Sequence, residues 1–419
     1  MNIKLCFVLL CSLMAGLTSA AAQSFDEWFQ DRTLRLDYVF AGDNRSQHIY
    51  LEQAMMTSRW AGRKSRLTET PLRGNGQIRM KDHLTGQLLY VHTFSTLFQE
   101  WQATEEATRL QKAFETSYNL PMPKGKVDIT VMLTDFHDKV IGEMTHTLDP
   151  QDILIRRVGP ADVPWRYLWP ADGTPDLTGS IDLAIVAEGY TAAETDKFYA
   201  DCQRAVDALF AHEPFTQLKN RFNVVAVAPL SKDSGPSIPR EHRWNSTPVG
   251  THYDTFYSQR YLMTEQMHRL YDVLAGVPFE HIIVLVNSAI YGGGGIYNQL
   301  LVTTTDHPTF AQVLVHEFGH SYAGLADEYF YDDGFETMYP ADTEPWEPNL
   351  TTKVDFSQKW ADLLPDPKGR LGLFEGGGYQ TKGVWRPSED CRMRTNESPD
   401  FCPVCTRAII RITDFYTSH

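Results

Sequence analysis

His316-Glu317-Phe318-Gly319-His320 lies within residues 309–322, where the apolar side chains recur with the period of a helix. The two histidines are four residues apart, so both imidazoles lie on one helical face and can reach one metal ion. Glu317 projects beside that ion, where a carboxylate can take a proton from a bound water. The pattern therefore predicts a zinc site with a catalytic carboxylate, in preference to polar residues on a solvated helix.

The residues after this helix supply candidates for a third zinc ligand. Gly324 can end the helix in a left-handed turn, after which Asp327 and Glu328 bring carboxylates back towards the metal. We expect Asp327 to be the third ligand, with Glu328 as the alternative ligand or as a neighbour that orients a histidine. Three protein ligands leave one position open for water, as a catalytic zinc site requires.

The pattern of apolar residues changes along the chain and predicts two domains. Residues 21–158 contain alternating segments that predict an antiparallel β-sandwich, with one helical stretch near residues 105–117. Residues 159–180 are rich in proline and glycine and predict a connector. Residues 181–419 alternate between apolar strands and helices, which is typical of an α/β domain. The expected fold class is α+β multidomain, with an all-β sandwich followed by an α/β catalytic domain that contains the active-site helix.

Composition and the N-terminus limit the classes of function. The chain has 53 acidic and 38 basic residues, a net charge of −15 that argues against a nucleic-acid partner. Beyond the N-terminus, no apolar run reaches the length of about 18 residues that a transmembrane helix needs. Residues 1–20 run from a positive charge through an apolar stretch to small residues, which predicts a signal peptide. We therefore expect a secreted, periplasmic or cell-surface protein, and the sequence indicates no oligomeric state.

The stretch HEFGHSYAGLADEY, residues 316–329, resembles the active-site motif of the immunoglobulin A (IgA) peptidase family of zinc metalloproteases. Residues 246–253, 385–387 and 391–393 resemble further segments of that family, and the resemblance covers most of the chain. It implies a zincin fold with one catalytic zinc ion and an N-terminal β domain. It also implies that His316 and His320 are ligands and that Glu317 is the catalytic residue.

The motif is also similar to that of the metzincins, in which a methionine turn lies beneath the zinc. Met393 is the best candidate for that turn, although Thr395 stands where some metzincins have a tyrosine. Gly324 and the candidate third ligand each lie one residue later than in metzincins, which leaves both Asp327 and Glu328 open as ligands.

Outside the predicted signal peptide, the cysteines are Cys202, Cys391, Cys402 and Cys405. Cys202 fits a helical stripe and is expected to be a buried thiol. In an exported protein, we expect Cys391 to form a disulfide with Cys402 or Cys405 that holds the segment around Met393 beneath the metal. A single CxxC pair is weak support for zinc at these cysteines.

The leading hypothesis is a secreted zinc endopeptidase that hydrolyses peptide bonds of protein substrates, such as IgA or other host or extracellular proteins. One alternative is a catalytically silent cell-surface binding protein on the same fold, but the intact Glu317 argues against it. The other is a zinc amidase that acts on small or cell-wall substrates. An accessible strand above the cleft would favour peptides, and the glycines before Leu300 leave room for one.

Overall fold

The computed structural model describes residues 24–170, 174–176, 179–331 and 338–417. The predicted signal peptide lies outside the described residues. The described chain is α+β and contains several sheets. None of its described helices combines the length and the apolar character that are needed to cross a bilayer.

Residues before Ile181 form mainly antiparallel sheets. The strands of this region are β1 (Phe29–Gly42), β2 (Gln47–Met56), β3 (Gly76–Asp82), β4 (Leu88–Phe94), β5 (Lys112–Pro123), β6 (Val127–Thr134), β7 (Val140–Leu148), β8 (Arg156–Arg157) and β9 (Trp165–Trp169). The helices are α1 (Phe25–Trp28) and α2 (Leu97–Gln102). One sheet has the order β5-β1-β2-β8 and the second has the order β4-β3-β6-β7.

The two sheets share an aromatic core. Buried and partly exposed residues alternate along β6, as the two faces of a half-buried strand require. Phe94 of β4 lies 4.3 Å from Tyr118 of β5 and 6.3 Å from Phe40 of β1, measured between ring centroids. Because these rings join strands of both sheets, the arrangement is compatible with the predicted β-sandwich.

The predicted helix near residues 105–117 is wrong. A short 3₁₀ turn covers Glu106–Thr108, and β5 begins at Lys112. Phe114, Thr116 and Tyr118 are buried at alternate positions of β5, which pairs along its length with β1. Pairing and burial in the sheet therefore override the helix-forming composition of this stretch.

Residues from Ile181 onward combine a mixed sheet with helices. The strands are β10 (Ile181–Glu188), β11 (Phe222–Val227), β12 (His281–Val286), β13 (Gly293–Ile296), β14 (Leu300–Thr304), β15 (Phe374–Gly377) and β16 (Gln380–Arg386). The helices are α3 (Thr195–Phe210), α4 (Phe215–Leu218), α5 (Met267–Val273), α6 (Phe310–Ala323) and α7 (Pro403–Thr417).

The central strands of this sheet are parallel. The order is β13-β14-β12-β10-β11-β9, in which β13 and β9 are antiparallel to their neighbours. Every residue of β10 is buried, as expected of a parallel strand that is covered on both faces. The edge strand β9 lies within the predicted connector, so part of residues 159–180 belongs to the sheet. Strands β15 and β16 form a separate antiparallel pair.

The turn between β13 and β14 joins the two halves of the chain. The Ser95 backbone N–H donates to the Tyr297 carbonyl at 2.9 Å, and the Asn298 side-chain amide donates to the Thr93 carbonyl at 2.7 Å. The Gln299 amide donates to the Tyr118 hydroxyl at 3.0 Å. The N-terminal sheets therefore hold the edge of the sheet against which α6 packs.

Candidate metal centre

Helix α6 positions two histidine nitrogens for one ion. The Nε2 atoms of His316 and His320 lie 3.0 Å apart. His316 Nδ1 faces the Arg392 carbonyl at 2.9 Å, and His320 Nδ1 faces the Leu325 carbonyl at 2.5 Å. Because each carbonyl accepts a hydrogen bond from Nδ1–H, the proton of each neutral imidazole lies on Nδ1. Nε2 then keeps a free lone pair, as a metal ligand requires.

The turn after α6 brings in a carboxylate. Gly324 has the left-handed φ of +57°, and its N–H donates to the His320 carbonyl at 3.0 Å. The chain then reverses, and Asp327 Oδ1 lies 3.0 Å from His316 Nε2 and 3.2 Å from His320 Nε2. Burial opposes ionisation of Asp327, but the adjacent imidazoles hold its pKa well below the usual range.

These three ligand atoms form a triangle that suits a small divalent ion. Zinc bonds of 2.0–2.2 Å at tetrahedral angles place neighbouring ligand atoms about 3.3–3.5 Å apart. The observed sides of 3.0–3.2 Å are slightly shorter than that range. The side chains of His316 and His320 are 13% and 14% exposed, so the centre also reaches solvent. Two imidazoles and a carboxylate therefore fit a metal centre with an open position.

Glu317 lies beside this centre and against the edge strand β13. A Cβ atom added at Gly293 would lie 2.9 Å from Glu317 Oε1, and one added at Gly295 would lie 2.6 Å from the Glu317 carbonyl. The glycines therefore let α6 approach β13 closely. Helix α6 thus occupies part of the room beside these glycines that the sequence predicted for a peptide substrate. Burial raises the pKa of Glu317, while the imidazoles of His316 and His320 oppose this rise.

Tyr379 supports Asp327, the candidate carboxylate ligand. Its hydroxyl donates to Asp327 Oδ2, whereas Oδ1 is the oxygen beside the histidines. The neighbouring Gly378 N–H donates to the Asp327 carbonyl at 2.8 Å. The turn between β15 and β16 therefore fixes both the backbone and the side chain of Asp327.

We expect Tyr379→Phe to weaken metal binding by about 10–100-fold, the usual effect of removing a group that orients a ligand. Competition with a chromogenic chelator measures the change. Tyr331→Phe is the matched control, because the Tyr331 hydroxyl contacts Arg260 instead of a candidate ligand. Equal affinities for the two variants would contradict a supporting role for Tyr379.

Met393 lies directly beneath the helix that carries the histidines. A Cβ atom at Gly319 would lie 2.6 Å from Met393 Sδ, and Met393 is fully buried. Arg392, whose carbonyl accepts from His316, precedes it in the chain. The segment expected to form a methionine turn thus packs under α6.

We expect Gly319→Ala to lower the free energy of unfolding by about 1–3 kcal/mol, because the new methyl group overlaps the Met393 sulfur. This loss should exceed the gain of about 1 kcal/mol that alanine brings inside a helix. Chemical denaturation measures the change, and in a Met393→Ala background the same glycine substitution should cost less, because the sulfur is no longer there. A net stabilisation by Gly319→Ala alone would show that the sulfur does not occupy this position.

Glu328 points away from the histidines. It is fully buried, and its Oε1 accepts from the Asn349 amide at 2.9 Å and from the Cys405 thiol at 3.2 Å. Asn349 also bonds both backbone groups of Ala326, so it fixes the loop on which both acidic residues lie. Of the two candidate third ligands, the structure places only Asp327 beside the histidines.

The cysteines differ from the expected arrangement. Cys202, Cys391, Cys402 and Cys405 are all free and buried. Cys391 Sγ and Cys405 Sγ lie 3.8 Å apart, well beyond the bond length of about 2.05 Å in a disulfide. The expected disulfide is therefore not formed in this structure, although the three C-terminal cysteines do converge.

A cavity of about 780 Å³ opens over the candidate metal centre. His316, Glu317, His320 and Asp327 line it, and Glu100 from the N-terminal region lines another part. The N-terminal half of the chain therefore forms one wall of the cavity. Its volume lies within the range of about 300–1,000 Å³ that is typical of ligand pockets.

Sequence reasoning missed the groups that support the ligands. Tyr379 and Asn349 are distant in sequence from α6, and the supporting carbonyls of Leu325 and Arg392 carry no side-chain signal. The glycine run before Tyr379, residues 376–378, is the one feature that could have indicated a tight turn there.

Comparison with known families gives two matches. The sequence profile of the family described as IgA Peptidase M64 matches residues 171–369 and 366–413. A second profile, described as Peptidase M64 N-terminus, matches residues 24–145. Together the two profiles cover more than half of the chain. A search of curated proteins finds no match.

Proposed function

Because the chain belongs to the IgA Peptidase M64 family, we propose that it is a zinc-dependent endopeptidase that hydrolyses peptide bonds of protein substrates. The single observation that carries this proposal is the position of three ligand atoms, from His316, His320 and Asp327, within 3.0–3.2 Å of one another beside Glu317. We propose that His316, His320 and Asp327 hold one zinc ion on a zincin fold.

A zinc ion bound there would polarise the scissile carbonyl and lower the pKa of water in the open position. Glu317 accepts a proton from the attacking water, whose oxygen bonds to the carbonyl carbon. As the C–N bond breaks, Glu317 returns that proton to the departing nitrogen. The Arg392 and Leu325 carbonyls keep the two imidazoles oriented throughout, and Tyr379 keeps Asp327 in place.

A protein or peptide substrate fits the cavity better than a small amide does. The cavity is wide and lined by both halves of the chain, so it offers contacts on either side of the metal centre. Within it, the strand β13 lies next to Glu317. Residues 260–262 already pair with Gly293, so an extended peptide could add to the sheet only along the part of β13 beyond that residue. IgA is one substrate of this class that the family description suggests.

Digestion of a proteome-derived peptide library tests this function. The purified protein should cleave peptides internally, should lose this activity after treatment with a chelator, and should regain it on addition of zinc. Terminal trimming alone would indicate an exopeptidase. A zinc-loaded protein that cleaves nothing in the library would favour the silent binding protein.

We also propose that the chain is exported, because residues 1–20 have the charge, apolar stretch and small residues of a signal peptide. Protein isolated from its host should then begin near Ala21 or Gln23. N-terminal sequencing measures this directly, and an intact Met1 would contradict export by a cleaved signal.

A further inference from the structure

A second group of metal-binding side chains lies behind the candidate catalytic centre. It consists of Cys391, Cys402, Cys405 and Glu328, whose ligand atoms all lie within 4.8 Å of one another. All four residues are buried. They come from three segments of the chain, namely the loop after α6, the segment that contains Met393, and the beginning of α7. We propose that these four residues bind a second, structural zinc ion.

The distance between two of the sulfur atoms matches coordination by zinc. Zinc–thiolate bonds of about 2.3 Å at tetrahedral angles place two sulfur atoms about 3.8 Å apart. The Sγ atoms of Cys391 and Cys405 are 3.8 Å apart. The Cys402 backbone N–H donates to Cys391 Sγ at 3.1 Å, a contact that stabilises a thiolate. Cys402 and Cys405 have the C-x₂-C spacing that is common in structural zinc sites.

Glu328 supplies the fourth ligand and an independent indication that a cation belongs here. Its Oε2 atom is buried and accepts no hydrogen bond from any residue that the structure describes. An unpaired carboxylate oxygen in the interior is costly unless the group binds a cation or takes up a proton. Glu328 Oε1 is already 3.2 Å from Cys405 Sγ, so the carboxylate faces the thiols.

Burial raises the pKa values of Cys391, Cys405 and Glu328, and two features of the surroundings oppose this rise. The thiols of Cys402 and Cys405 lie at the N-terminus of α7, where the helix dipole stabilises negative charge. Arg386 and Arg392 are buried, and their positive charges act on Glu328 and on Cys391, respectively. The Nε atom of each lacks a partner among the described residues. Thiolate ligands also favour zinc over the oxygen-seeking ions magnesium and calcium.

This second ion would connect the two segments that hold the catalytic centre. Glu328 follows Asp327 directly, and its N–H donates to the Met393 carbonyl at 2.8 Å. Cys391 precedes Arg392, whose carbonyl accepts from His316. A metal between Glu328 and the three cysteines would therefore take the place of the disulfide expected from the sequence and fix both segments together.

Metal analysis of the full-length protein, purified under reducing conditions without chelators, tests the proposal independently of peptide hydrolysis. We expect about two zinc ions per chain, one for each site. The double variant His316→Ala/His320→Ala should keep one. Cys405→Ala should lose one, whereas Cys202→Ala should keep both, because Cys202 is equally buried but lies in α3 outside the cluster.

Cobalt substitution identifies the ligands of the retained ion. The double histidine variant loaded with Co²⁺ should show the near-ultraviolet charge-transfer band of cobalt–thiolate bonds. This measurement tests the second site even if the Cys405→Ala variant does not fold. Absence of the band, a zinc content of zero in the double histidine variant, or a disulfide among the three cysteines by mass mapping would each overturn the second site. None of these results would affect the proposed peptidase activity.

Discussion

Glu317→Gln is expected to fold, to bind metal as tightly as the parent, and to lose peptide hydrolysis by at least ~10²–10⁴-fold, the usual contribution of a general acid–base group. The amide has nearly the shape of the carboxylate but cannot take a proton from water or return one to the departing amine. Glu317 packs closely against Gly293 and Gly295. Because glutamine has nearly the same size as glutamate, it should fit the same space and the fold should tolerate the change. Rates on a quenched peptide substrate measure the loss.

Glu389→Gln is the matched control for this substitution. It makes the same change of charge at an exposed position outside the cavity, so hydrolysis should stay at the parental rate. Metal content and the unfolding transition of Glu317→Gln should equal those of the parent. If Glu317→Gln hydrolysed peptides at the parental rate, this result would contradict the proposed role of the Glu317 carboxylate.

Asp327→Ala is expected to weaken binding of the catalytic ion by more than about 100-fold. Loss of a group that only orients a ligand weakens binding by about 10–100-fold, and loss of a ligand should exceed this. The substitution removes the Oδ1 atom that lies 3.0 Å from His316 Nε2 and 3.2 Å from His320 Nε2. Two imidazoles on one helix then remain as the protein ligands. Chelator competition on the purified variant gives the affinity, and peptide hydrolysis should fall with it.

The adjacent carboxylate provides the control for this experiment. Glu328→Gln changes a side chain that faces Asn349 and Cys405 and that we propose as a ligand of the second ion. It should weaken that second site, while the ion held by the two imidazoles and Asp327 should remain bound. Peptidase activity that survives Asp327→Ala but disappears in Glu328→Gln would move the third ligand to Glu328.

The local part of the candidate site could be predicted from the sequence because it lies within one helix and one turn. The spacing of His316 and His320, with Gly324 as the helix end, determines where the imidazoles lie and where the chain reverses. The resemblance of residues 316–329 to the IgA peptidases is confirmed by the family match. Which of Asp327 and Glu328 lies beside the histidines could be seen only in the structure, because adjacent residues on a loop can point either way.

Long-range contacts explain what the sequence did not predict. Tyr379 reaches Asp327 only because β15 and β16 fold back over the loop, and Asn349 meets Ala326 and Glu328 across an intervening segment. The stretch near residues 105–117 has helix-forming residues, yet it becomes the strand β5 because β1 offers it a partner. The cysteines cluster as expected, but the sequence associated Glu328 with the histidines and not with the cysteines.

The most direct test of the central claim is anomalous X-ray diffraction at the zinc absorption edge from crystals of the zinc-loaded protein. The account predicts an ion about 2.0–2.2 Å from His316 Nε2, His320 Nε2 and an Asp327 carboxylate oxygen, with one coordination position open to the cavity. A zinc-loaded, active protein whose anomalous density lies elsewhere, with no ion between these three residues, would contradict it.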